Sequence, residues 1–401
     1  MNDDLSRFPA LERAIDDVFP PDGLCDLLSS GRSLRIKYGV DVTAPFLHIG
    51  HAVNLWAMRE MQEAGHKVVL LIGDFTTRIG DPTGCSATRP QLSAEQIERD
   101  AAGFIRQAGQ VLRTDPAVFE VRRNSQWWEP MPLARFLDLL SMVTHARLIQ
   151  RDMFQRRIAQ DAEIALHELL YPVLQGYDSV ELESDLTIVG SDQLFNELMG
   201  RLMAERLGVS PQVVVTTKIT AGIDGREKQS KSLGNYIALT DTARDMFGKA
   251  MRLPDPLTAE YLRVYTLVPL GEIDRIESSV AASQLNPMQA KRVLGRALVE
   301  RYHGAAAAES EDEWFMRVFS RRTAPDDAAL VLVGPQASLF DVLRQCLPGE
   351  SASELRRLIR RGAVRIGGTE VLADPDQRPA VSSGALLRVG KRRWFRIEIG
   401  E

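Results

Sequence analysis

The chain has 401 residues, room for two or three domains, and its 44% hydrophobic and 26% charged content is ordinary for a folded globular protein. A net charge of −5 argues against a generally basic nucleic-acid binder, although it allows a local basic surface. There is no run of about 18 uncharged apolar residues, residues 1–7 lack a signal peptide's basic end and apolar core, and cysteines 25, 85 and 346 are too far apart for a metal cluster or disulfide framework. The expectation is a cytoplasmic protein with no membrane partner and no protein-held metal.

Residues 6–30 carry apolar positions at helical spacing, broken at Pro20-Pro21-Asp22-Gly23, and read as an outer helical layer. Residues 33–37 read as a short strand. Residues 52–64 read as a helix, with apolar Val53, Leu55, Trp56 and Met61. Between them runs Tyr38-Gly39-Val40-Asp41-Val42-Thr43-Ala44-Pro45-Phe46-Leu47-His48-Ile49-Gly50-His51. Open α/β sheets place ligands where a strand hands over to a helix, and the free N–H groups of a helix start suit phosphate. His48 and His51 bracket such a start and could donate hydrogen bonds to a phosphate whose charge grows in a transition state.

Residues 67–72 suit a buried parallel strand. The loop after it, residues 73–84, contains Asp81, which could meet an amino group or simply make a turn. A helix is expected from about Ala94, and residues 115–170 are dominated by helical patterns with Trp127 and Trp128 as packing residues. Near 161–177, Tyr171, Gln175 and Asp178 are spaced by four and three and share one helical face. Polar groups on a half-buried face need partners, so they either pair internally or line a pocket for a small amphiphilic ligand.

Gly190-Ser191-Asp192-Gln193 reads as a turn into another helix, and residues 212–217 as a last strand. Next comes a loop with Lys228, Ser230, Lys231 and Ser232, either an ordinary solvated loop or a mobile cationic clamp suited to a leaving pyrophosphate. From Ala259 to His303 the pattern is almost entirely helical, with a basic region at Lys291, Arg292, Arg296 and Arg301. Residues 304–336 read as connecting elements with a possible short strand at 330–333. Residues 338–347 and 353–361 read as helices, followed by short strands. From 337 to 401 the chain has 12 lysines and arginines against eight acidic residues, with Arg356, Arg357, Arg360 and Arg361 clustered. That cluster is either a solvated helix face or a surface suited to phosphate.

His48-Ile49-Gly50-His51 and, about 180 residues later, Lys228-Gln229-Ser230-Lys231-Ser232 resemble the two signatures of class I aminoacyl-tRNA synthetases. Four further stretches resemble bacterial tyrosyl-tRNA synthetases: Lys37-Tyr38-Gly39-Val40-Asp41, Gly80-Asp81-Pro82-Thr83-Gly84, the Tyr171, Gln175, Asp178 pattern, and Ser191-Asp192-Gln193. The resemblance covers nearly the whole chain. It implies an α/β fold: a Rossmann-like parallel-sheet catalytic domain over 1–240 with a dimerisation insertion. An α-helical anticodon-binding domain over 241–325, a linker over 326–336 and a small α+β S4-like RNA-binding domain over 337–401 would follow.

The resemblance also implies the chemistry. L-Tyrosine would be activated with ATP, accompanied by Mg²⁺, and transferred to tRNA(Tyr) by a homodimer. Thr43, His48, His51, Lys228 and Lys231 would be catalytic. Gly50, Asp192, Ser230 and Ser232 would bind ATP. Lys37, Gly39, Asp41, Asp81, Tyr171, Gln175, Asp178 and Gln193 would bind tyrosine, with Asp178 accepting from the phenol. Arg356, Arg357, Arg360 and Arg361 would bind RNA. Val189, Lys218 and Gln229 depart from the family pattern. Lys218, together with Val40, Val42 and Val189, leaves open a specialised paralog acting on a modified tyrosine or an unusual acceptor; a non-catalytic RNA-binding descendant is a further alternative.

Overall fold

The computed structural model describes residues 5–42, 46–81, 92–230, 233–320, 328–366, 370–379, 384–390 and 393–400. Thr43, Pro82, Thr83, Gly84, Cys85, Lys231 and Ser232 lie outside them. The chain divides into two compact units, Met1–Gly304 and Ala305–Glu401.

Six strands form the sheet of the first unit: β1 (Ile15–Phe19), β2 (Arg35–Val40), β3 (Lys67–Ile72), β4 (Phe119–Arg123), β5 (Leu186–Gly190) and β6 (Val213–Thr217). Their order is β1-β6-β5-β2-β3-β4. All pairings are parallel except that of β1 with β6. The apolar run of β3 is buried on both faces: Val68, Leu70 and Ile72 enter one core cluster, and Val69 and Leu71 enter the other. Helices cover both faces of such a sheet, which is why the strand reads as a continuous hydrophobic run. β2 sits between β3 and β5, so the connections leave it in opposite directions. The crevice beyond the carboxyl ends of β2 and β5 is therefore a topological switch point.

Two strands arise where the residue pattern reads as helix. Residues 15–19 form β1, because pairing with the open edge of β6 outweighs the local helical spacing. Residues 119–123 form β4, which extends the sheet beyond β3 through five register pairs, from Val68↔Phe119 to Ile72↔Arg123.

The helix Leu166–Glu181 packs tightly on Leu194–Leu207 through glycine. A Cβ on Gly176 would lie 2.8 Å from the Gly200 nitrogen. This close approach carries Gln175 and Ser179 to hydrogen-bond distance of Glu197 on the second helix. Among the described residues, four α-helices follow β6 in this unit: Ala243–Arg252, Thr258–Tyr265, Leu270–Ala281 and Pro287–His303. The last is pinned to the helix Ile49–Glu63. The Arg301 guanidinium lies 4.2 Å from the Trp56 ring centroid, and Trp56 Nε1 donates to the Tyr302 hydroxyl at 3.1 Å.

The second unit has its own core. β7 (Ala329–Val333), β8 (Val364–Ile366), β9 (Glu370–Leu372), β10 (Ala385–Val389) and β11 (Arg393–Ile399) form a sheet ordered β7-β11-β10-β8-β9. Leu339, Val342 and Leu343 from the helix Leu339–Cys346, with Leu355 and Ile359 from Ala352–Arg360, pack into the core with Leu387 and Ile397. Ser338 and Ser351 cap these helices by accepting from the backbone N–H groups of Asp341 and Glu354. Residues 305–315, read from composition as a connection, form a helix. No described helix is long and apolar enough to cross a membrane.

Candidate active site

A cleft of about 320 Å³ opens beyond the carboxyl ends of β2, β3, β5 and β6. One half is rich in carboxylates and amides; the other combines a helix start with a lysine loop.

In the first half, Asp41 leaves the end of β2. Its Oδ1 accepts from Thr76 Oγ1 at 2.8 Å, and its Oδ2 accepts from the Tyr171 phenol at 2.9 Å. Burial pushes the Asp41 carboxyl up to about 7; the charges of Asp81 and Asp178 raise it too, while the Thr76 and Tyr171 hydrogen bonds oppose the rise. A chain of amides follows. Gln193 Nε2 donates to Asp81 Oδ2 at 2.9 Å, and Asn196 Nδ2 donates to both Gln193 Oε1 and Gln175 Oε1. Gln175 Nε2 then donates to Glu197 Oε1 at 2.8 Å. The carboxylates at the two ends orient all three amides. Clustered carboxylates and acceptor oxygens suit a ligand ammonium.

Deeper in, Asp178 is fully buried. Its Oδ1 accepts from the indole N–H groups of Trp127 and Trp128, at 2.9 and 2.8 Å, and its Oδ2 from Asn124 Nδ2 at 3.1 Å. Burial pushes this carboxyl up to about 6, against the lowering effects of Asn124, the Lys37 charge and the two indoles. A carboxylate offers about four acceptor sites and three are used here, leaving one for a ligand hydroxyl. Beside it Lys37 forms a buried ion pair with Glu197 and donates to Ser179 Oγ at 2.6 Å.

In the second half, His48 caps the helix Ile49–Glu63. Its Nδ1 accepts from the Gly50 N–H, and its own backbone N–H donates to His51 Nδ1 at 3.3 Å. Both Nδ1 atoms therefore act as acceptors, which places the neutral rings' protons on Nε2 as donors. Gly50 makes room for this arrangement, since a Cβ there would lie 2.9 Å from the His48 ring. On the same cleft, Lys228 Nζ pairs with Asp192 Oδ2 at 2.7 Å.

The cleft thus gathers Lys37, Gly39, Asp41, His48, Gly50 and His51 with Asp81, Tyr171, Gln175, Asp178, Asp192, Gln193 and Lys228. Ser230 sits in the lysine loop with its N–H on Asn235 Oδ1, outside the described cleft lining. Thr43, Lys231 and Ser232 fall outside the described residues. Arg356, Arg357 and Arg360 are exposed along the C-terminal half of the helix Ala352–Arg360 in the second unit, and Arg361 is exposed just beyond it. Lys218 lines the rim and donates to the Arg13 carbonyl at 3.2 Å. Val189 is a buried residue of β5 that faces the cleft.

Residue patterns did not reveal Thr76, Asn124, Asn196, Glu197 or Tyr265. The two tryptophans read as packing alone, but they also hydrogen-bond Asp178. Glu197 carried a usable signal: a lone carboxylate flanked by Leu194, Phe195, Leu198 and Met199, four positions after Gln193.

Residues 29–320 match the family described as tRNA synthetases class I (W and Y). The tyrosine–tRNA ligase of Thermotoga maritima is 40% identical over 396 residues, covering 98% of this chain and 97% of that protein. Tyrosine–tRNA ligase 2 of Photorhabdus laumondii is 42% identical, covering 94% of this chain and 96% of that one. Among solved structures, the Archaeoglobus fulgidus tyrosyl-tRNA synthetase complexed with L-tyrosine shares the fold with a TM-score of 0.60 at 19% identity, over 77% of this chain and all of that one. With the cleft at the switch point, His48, Gly50, His51, Lys228 and Gln229 of the two signatures lining it, and this likeness along nearly the whole chain, the protein belongs to the class I tRNA synthetases of the tryptophan and tyrosine group.

Proposed function

We infer that the chain activates L-tyrosine with ATP to tyrosyl-adenylate and transfers the tyrosyl group to the 3′ end of tRNA(Tyr). The observation that carries this reading is the joining of two half-sites in one cleft: a carboxylate-amide chamber beside a histidine-lysine phosphate site. The tyrosine ammonium would meet Asp81, Tyr171 and Gln175, with Asp41 holding the Tyr171 phenol. Its phenol would donate to the remaining acceptor site of Asp178, beside the buried Lys37 ammonium. Its carboxylate oxygen attacks the α-phosphorus of ATP, the bond to the bridging oxygen breaks, and pyrophosphate leaves. The protein needs no nucleophile of its own, so catalysis is positioning and electrostatics. His48 and His51 stabilise the growing phosphate charge through Nε2–H. Lys228 supplies a cation, with Thr43 and Lys231 assigned beside it by resemblance. Asp192 takes the ribose hydroxyls. Mg²⁺ enters as part of the nucleotide substrate, on its phosphates. The terminal tRNA hydroxyl then attacks the adenylate carbonyl and AMP leaves.

The test is tyrosine-dependent exchange between ATP and pyrophosphate, followed by charging of matched tRNA. A folded chain with no exchange would end this reading. Exchange without charging would favour an unusual acceptor.

The wider assembly is part of the same proposal. The helices between residue 241 and Gly304 would read the anticodon region, and residues 337–401, joined in one sheet with β7 from the stretch read as a linker, would grip RNA backbone through Arg356, Arg357, Arg360 and Arg361. A homodimer would form over the insertion after β4, where Leu133, Leu137 and Leu166 are 70%, 55% and 78% exposed. Large apolar side chains at such exposure suit a partner surface. The cytoplasm is the proposed location.

A further inference from the structure

The lysine loop is held from below by two tyrosines one helical turn apart. Tyr261 and Tyr265 lie on the helix Thr258–Tyr265, with ring centroids 4.9 Å apart. The Tyr261 hydroxyl donates to the Ala221 carbonyl at 2.6 Å, and Ala221 bridges to Lys228 across the loop. The Tyr265 hydroxyl accepts from Gln229 Nε2 at 2.7 Å and shares a hydrogen bond with Thr220 Oγ1 at 2.5 Å. The main chain of Tyr265 is tied as well: its carbonyl accepts from Arg301 Nη1 at 2.9 Å. That arginine stacks on Trp56, in the helix that begins beside His48. Tyr265 and Arg301 together thus connect the loop carrying Lys228 to the helix that His48 caps.

We propose that Tyr265 is a positioning residue for adenylate formation: its phenol seats Gln229 and thereby sets the reach of the adjacent Lys228 toward the nucleotide. This rests on reading Lys228 as a phosphate clamp. The hydrogen bonds make the dependence one-sided. Gln229 is 8% exposed, its Oε1 is buried without a hydrogen-bond partner among the described residues, and its Nε2 uses Tyr265. Removing the phenol strands the whole amide, and a stranded buried polar group costs more than a hydrogen bond is worth. Removing the amide instead leaves the phenol its bond to Thr220. An apolar side chain at 229 is therefore tolerated, whereas an apolar ring at 265 is tolerated only when 229 is apolar too.

The experiment compares the full chain with Tyr265→Phe, Gln229→Met and the double variant. Tyr265→Phe should lower the exchange rate about tenfold with tyrosine affinity unchanged. Gln229→Met should stay within about threefold of the unaltered chain, and adding it to Tyr265→Phe should restore most of the lost rate. Limited trypsin cleavage at Arg226 and Lys228 gives a readout that needs no activity: faster in Tyr265→Phe, restored in the double variant. Three results would each overturn the proposal: unchanged exchange and cleavage in Tyr265→Phe, a parallel loss of tyrosine affinity and rate, or no recovery on adding Gln229→Met. An unaltered chain without exchange would instead remove the ligase reading and the role of Lys228 with it, while the cleavage data would still judge the seat itself.

Discussion

Lys37 Nζ lies 2.8 Å from Glu197 Oε2 at the base of the cleft, and both side chains are 1% exposed. The carboxylate also accepts from Gln175 and Gln212, so it serves the ammonium and two amides at once. Breaking a buried pair leaves an uncompensated charge, whereas replacing both partners by apolar groups is often neutral. Glu197→Leu alone should therefore destabilise the chain by about 3–5 kcal/mol, and Lys37→Met with Glu197→Leu by much less. Urea unfolding of the three proteins checks this. A double variant as unstable as the single one would mean the two charges do not act as a unit.

The carboxyl of Asp41 gives a pH dependence whose sign can be worked out. Burial raises it from an ordinary 3.8 to about 7 in the folded chain. Between those values the folded chain keeps a proton that the unfolded chain has lost. Its contribution to stability is thus complete below about pH 4 and disappears as pH rises through about 7. The melting temperature of the unliganded chain should fall between pH 5 and pH 8, and Asp41→Asn should flatten that slope. A ligand ammonium prefers the ionised carboxyl, so tyrosine binding at pH 6 should release protons. Calorimetry in two buffers of different ionisation enthalpy would detect this, and equal apparent enthalpies would count against it.

His51 is placed to serve the transition state more than the ground state. Its Nδ1 is occupied by the His48 backbone N–H, leaving Nε2–H as the donor. His51→Asn should slow exchange by about 10²-fold while tyrosine affinity stays within about twofold. Rapid-quench measurement of adenylate formation beside equilibrium dialysis separates the two. Equal losses in both would assign the residue to ground-state binding.

The exposed leucines after β4 give a test of assembly. Leu133→Glu combined with Leu166→Glu should convert a sedimenting dimer into a monomer without lowering the melting temperature of the protomer. An unaltered chain that already sediments as a monomer, or a variant that remains a dimer, would move the interface elsewhere.

The sequence by itself determined the parts that depend on local spacing. The histidine pair at a helix start, the face shared by Tyr171, Gln175 and Asp178, the buried run of β3 and the lysine loop were all legible. Each rests on helix or strand periodicity or on turn chemistry within a short window. Only the tertiary structure decided which of these parts meet. β1 and β4 became strands because sheet edges were available to pair with, a long-range effect that local pattern does not contain. Glu197 was a charged residue within a helix until the Gly176–Gly200 approach brought it to Gln175, and Lys37 closed the pair from β2. Trp127 and Trp128 read as packing because hydrophobicity is visible in a sequence, whereas the carboxylate their N–H groups address lies 50 residues or more away. Tyr265 carried no signal at all. Its work is set by partners at positions 220, 229 and 301, which only the folded chain brings together.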